Sequence, residues 1–70
     1  MAKATLRRTY LNSQGYDSAG SYWGLGQPLY WLAFEGPDGQ EISEFLRAPG
    51  REHAKRKARE MFPHVDLRFH

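Results

Sequence analysis

The densest apolar run in the chain is Leu29-Tyr30-Trp31-Leu32-Ala33-Phe34. Alternation places Tyr30, Leu32 and Phe34 on one face and Leu29, Trp31 and Ala33 on the other. A strand that is apolar on both faces is normally covered on both, so this segment reads as the central strand of a sheet. Gly36-Pro37-Asp38-Gly39 follows as a turn: proline presets φ and the closing glycine accepts positive φ. It joins the central strand to a partner over Gln40–Arg47, with Ile42 and Leu46 on one face and Phe45 on the other. Thr5–Leu11 reads as an earlier strand with imperfect alternation. Leu6 and Tyr10 share a face while Leu11 falls on the opposite one, which a bulge or an edge position accounts for. Arg7 and Arg8 suit an edge.

After Pro49-Gly50 the period changes. Ala54, Ala58, Met61 and Phe62 lie at i, i+4, i+7 and i+8, the stripe of a helix over Arg51–Phe62. Two alanines in the stripe let it lie close to a sheet. Pro63 ends it, because the residue before proline disfavours the α region. Val65-Asp66-Leu67-Arg68-Phe69 alternates as a last strand. The order β-β-β-α-β predicts one α+β domain over residues 1–70: a mainly antiparallel four-stranded sheet with one helix packed on it.

Residues 14–28 have neither period. This stretch holds four of the seven glycines and the aromatics Tyr16, Tyr22 and Trp23. Disordered segments are poor in aromatics, so the loop is expected to be ordered. At least one ring, Trp23, is expected to fold back and cover the second face of the central strand, while others stay exposed.

Composition sharpens this picture in two places. A 70-residue chain supplies a core worth only about 3–5 kcal/mol, and with no cysteine it has no disulfide or thiolate metal site to add. Ten aromatic residues partly compensate through the area they bury. No apolar run approaches the length of a membrane span, and the first residues lack the apolar run of a signal peptide. The expected setting is cytoplasmic, with no membrane partner. Charge is unevenly spread. Residues 51–70 carry six basic and three acidic groups, whereas residues 1–50 carry four and five. That asymmetry points to an anionic partner.

Arg51, Lys55 and Arg59 form a strip beside the apolar stripe of the predicted helix, with Arg56 further out and Arg47 just before it. Cations at successive turns suit phosphates; an ordinary solvated helix face explains them about as well, and Glu52 and Glu60 dilute the patch. In the loop, Tyr16, Tyr22 and Trp23 suit base stacking or a protein anchor. Catalysis has little support. His53, His64 and His70 lack metal-ligand spacing, and no histidine is near Asp17 and Ser18. Gly24-Leu25-Gly26 matches only the start of a dinucleotide fingerprint and no P-loop is present. No cofactor or metal is implied.

The run Tyr10-Leu11-Asn12, Gly15-Tyr16-Asp17-Ser18-Ala19-Gly20-Ser21-Tyr22-Trp23-Gly24 and Pro28-Leu29-Tyr30 resembles a group of short proteins of bacteriophages, prophages and plasmids. The Arg-Ala before the basic helix and the Phe-Pro after it are similar too. The resemblance spans most of the chain but carries no catalytic residue, since no activity is assigned to the group. It implies a mobile-element setting. The expectation is a non-enzymatic binding protein engaging nucleic acid or a nucleoprotein through the basic helix and the loop. The alternative is an inhibitor that binds a host or phage protein, such as a component of a bacterial defence complex.

Overall fold

The computed structural model describes residues 2–69. Four strands, β1 (Ala2–Thr9), β2 (Leu29–Glu35), β3 (Glu41–Arg47) and β4 (Leu67–Phe69), and one helix, α1 (Arg51–Met61), form an α+β domain. The sheet order is β3-β2-β1-β4. β2 pairs antiparallel with β3 and β1, and β4 joins β1 in parallel.

The two-face pattern of β2 is realised with different covers. On the helix face, Tyr30, Leu32 and Phe34 are buried with Ala4, Leu6, Leu46, Ala54, Ala58 and Leu67. Ala54 and Ala58 are fully buried, so the small side chains bring α1 down onto the sheet. Phe34 and Phe62 meet edge-on, with centroids 5.0 Å apart, and Val65 and Phe69 pack around the same core. α1 begins at Gly50, where the Ala54 N–H donates to the Gly50 carbonyl. It ends as Phe62 leaves helical geometry, its N–H still donating to the Ala58 carbonyl. The expected stripe is corrected at Met61, which lies on the helix flank and is exposed; Phe62 fills the core at that end.

Three further expectations change. β1 begins earlier and stops at Thr9, which removes the apparent break in alternation, because Leu11 is beyond the strand. β1 is also inside the sheet, with β4 alongside Ala2 to Ala4. Its outer side is uncovered only further along, where Arg51 donates to the Leu6 carbonyl at 2.6 Å. Finally, β4 starts at Leu67; Val65 contributes to the core from the turn before it. The hairpin is as read: the Gly39 N–H donates to the Gly36 carbonyl, and Gly39 has φ of 84°.

Replacing Leu32 with alanine removes a fully buried side chain at the centre of this core. The expected cost is about 2–5 kcal/mol, comparable with the whole stability of a domain this size, so circular dichroism should show a large unfolded fraction. Glu44→Ala, at an exposed position opposite Leu32, should change stability by less than about 0.5 kcal/mol.

Candidate functional site

Residues 10–28 connect β1 to β2 as an ordered body held by short-range hydrogen bonds. Asn12 Oδ1 accepts from the backbone N–H groups of Gln14 and Tyr16. Asp17 repeats the device one turn later: its Oδ1 accepts from Ala19 and Ser21, and its Oδ2 accepts from the Trp23 indole N–H at 2.8 Å. Short polar side chains that bond to nearby backbone are what allow such turns to form without helix or ladder. Tyr16 and Tyr22 form an isolated antiparallel bridge, with rings 5.0 Å apart. Gly15 is buried at the crossing point, where its carbonyl accepts from Trp23 and Gly24.

The loop is fixed to the sheet by Arg47. Its guanidinium donates to the carbonyls of Gln27, Trp23 and Gly24 at 2.8, 2.6 and 3.2 Å. Trp23 packs on Phe45 with ring centroids 4.6 Å apart. Trp23 therefore folds back as expected, while Tyr16 and Tyr22 stay exposed at 40% and 66%. The cover is only partial. The loop buries Leu29 at one end of the second face, but Trp31 remains half-exposed and Phe45 is exposed.

The basic strip does form, and most of its cations have partners within the fold. Arg51 bonds to the Leu6 carbonyl. Lys55 is 3.2 Å from Glu52, and Arg59 lies over the Phe69 ring at 5.0 Å. Lys57 donates to the Arg47 carbonyl. Of the helix cations, Arg56 alone makes no hydrogen bond, ion pair or ring contact among the described residues. The candidate residues thus separate into three groups, of which one is the exposed pair Tyr16 and Tyr22. Arg47 and Trp23 are joined in holding the loop; Arg51, Lys55, Arg56 and Arg59 lie on the helix, away from the tyrosines.

Two other cations have no such partner among the described residues: Lys3 and Arg7, both on β1. They share the open face with Trp31 and Phe45, since Arg7 pairs with Trp31 and Trp31 pairs with Phe45 in register. Arg68 stands beside Lys3 on β4, 3.4 Å from Asp66. The Trp31 indole N–H donates to Ser43 Oγ at 2.6 Å, which fixes the ring on the sheet. A row of Arg7, Trp31, Phe45 and Trp23 crosses the face as a result. The sequence reading missed this row because it assigned the whole face to the loop. The available signal was the alternation itself, which puts Lys3, Arg7, Trp31 and Phe45 on odd positions of neighbouring strands.

Among the described residues, no group of three or more acidic or histidine side chains is placed to hold a metal ion. His53 and His64 are exposed and apart from the open face, and His70 lies outside the described residues. No helix is long and apolar enough to cross a membrane. Comparison with protein-family models, curated proteins and solved structures yields no match.

Two predictions concern the loop. The Trp23 indole, first, and the Ser21 N–H, next, hold the Asp17 carboxyl below the ordinary aspartate range, against an opposing effect of burial. A depressed folded-state value makes the contribution complete above the unfolded value and lost as pH falls through the folded one. The Trp23 indole N–H resonance should therefore titrate below the ordinary aspartate value, while that of Trp31 stays fixed. Gly15 has φ of 89°, and a methyl group there would lie 2.7 Å from the Gly24 carbonyl carbon. Gly15→Ala should displace the loop at a cost of about 1–3 kcal/mol; amide spectra would show shifts at residues 12–27 with the helix signals unmoved.

Proposed function

We propose that the protein is a small non-enzymatic module that binds nucleic acid, and that its contact surface is the open face of the sheet. The observation that carries this reading is the row of Arg7, Trp31, Phe45 and Trp23 across β1, β2 and β3, with Lys3 on the same side. Cations that make no internal bond are available to phosphates, and exposed rings offer stacking area that tolerates any base. Internal partners occupy Arg47 and most of the helix strip, which favours the sheet face over the helix. A setting on a mobile element fits such a module, and its target would then be a nucleic acid or nucleoprotein of the host or of the element.

A second reading has its own observation. Tyr16 and Tyr22 form an exposed ring pair on a loop that is already ordered, an arrangement suited to anchoring a protein partner at low entropic cost. On that reading the module inhibits or modulates a host protein, and Tyr22→Ala would remove at least about 2 kcal/mol of partner affinity.

The nucleic-acid reading is tested by titrating a fluorescent oligonucleotide of mixed sequence over a range of salt. Three phosphate contacts from Lys3, Arg7 and Arg68 to a single strand give a slope of log K against log salt of about −2, and Arg7→Ala should lower its magnitude by about 0.7. Arg56→Ala should leave affinity nearly unchanged. A flat salt response would overturn the reading. Loss on Arg56→Ala with none on Arg7→Ala would move the contact to the helix.

A further inference from the structure

The open face is polarised across its strands. Arg68 on β4 and Lys3 and Arg7 on β1 occupy one side. Ser43 and Glu41 on β3 occupy the other, and Glu35 at the end of β2 stands between Lys3 and Glu41 in the cross-strand row. A shallow recess of about 380 Å³ lies between them. Its floor is Ala33, one wall is Trp31, and Lys3 and Glu41 stand on opposite rims. Ala33 creates the space, because its methyl group stands between the much larger Trp31 and Glu35 on the same face of β2.

Glu35 and Glu41 are direct cross-strand partners. Like charges directly opposite one another destabilise a strand pair, and neither carboxylate has an ion-pair partner among the described residues. The same pair bars a phosphate from that side of the recess. A nucleic-acid chain on this face must therefore keep its phosphates over β1 and turn its bases toward β3.

We infer that the face takes a single-stranded segment and seats one amino-bearing base over Ala33, against Trp31. This rests on the nucleic-acid reading above and specifies its substrate. A base reaches such a recess only when it is unstacked and splayed, as in a single strand. Ionised carboxylates accept hydrogen bonds and cannot donate them. They match the exocyclic amino groups of cytosine, adenine and guanine. Thymine and uracil place a carbonyl oxygen where cytosine places its amino group, and their one ring donor, N3–H, is flanked by two carbonyls whose oxygens meet the carboxylates unfavourably. Lys3, across the recess, takes the phosphate of the same nucleotide.

The test measures binding of labelled oligo(dC) and oligo(dT) of equal length, and of a short blunt duplex, by fluorescence anisotropy at neutral pH and low salt. Oligo(dC) should bind at least about fivefold tighter than oligo(dT), with the duplex weakest. The double variant Glu35→Gln, Glu41→Gln removes the repulsion and supplies amides that both donate and accept. It should bind both single strands more tightly and bring their affinities together, with its circular dichroism unchanged. Equal affinity of the unaltered protein for the two single strands, or a duplex bound as tightly, would overturn the inference while leaving the nucleic-acid reading in place. Absence of binding to all three would overturn both.

Discussion

One eleven-residue helix packs on four strands, so it can cover one side of the sheet and no more. Every unusual feature of the protein is a response to the side that remains. β2 is apolar in both directions, and its second set of side chains has to be shielded by something other than a helix. The loop between β1 and β2 shields Leu29 and part of Phe45, then stops. Trp31 is secured by Ser43 and left half in solvent. Lys3 and Arg7, which have no hydrogen-bond or ion-pair partner among the described residues, stand on the same open face.

The loop is the second consequence. A long connection without regular structure pays a large conformational entropy, and here two charged side chains, Asp17 within the loop and Arg47 reaching it from β3, offset that cost. Asp17 draws three donors onto one carboxylate, while Arg47 gathers three carbonyls onto one guanidinium. Gly15 allows the two halves to cross at a distance no other residue permits. The tyrosine pair belongs to this frame through its backbone bridge, while its rings stand exposed.

Much of the fold was legible because local signals and packing agree. The turn at Gly36–Gly39, the alternation of β2 and β3, and the Ala54–Ala58 stripe each indicate one structure. Proline after Phe62 indicates the helix end. Strand β1 starts three residues before its pattern indicates because Ala2 and Ala4 are weak strand formers, held in place by pairing with β4 and β2 that a local pattern does not reveal. The site was less legible. Arg47 and Arg51 look like ligand-binding cations in sequence, and only tertiary geometry shows that they end on carbonyls. Arg7 and Arg8 look like edge protection, and only the register shows that Arg7 shares the open face with Trp31. Trp31 looked buried because the reach of the loop was overestimated.

The bonds made by Arg47 and Lys57 have one property in common: each cation donates to neutral carbonyls. Part of their hydrogen-bonding capacity is used, yet no ion pair among the described residues cancels their charge. An ion pair would have hidden both. The domain thus ties these side chains down and still projects their positive field into solvent. Dissolved ions weaken that field over a Debye length but have little hold on short bonds to carbonyls inside the fold. Salt should therefore separate two properties that usually change together, weakening the long-range attraction of the molecule for anions while leaving its architecture largely unaffected.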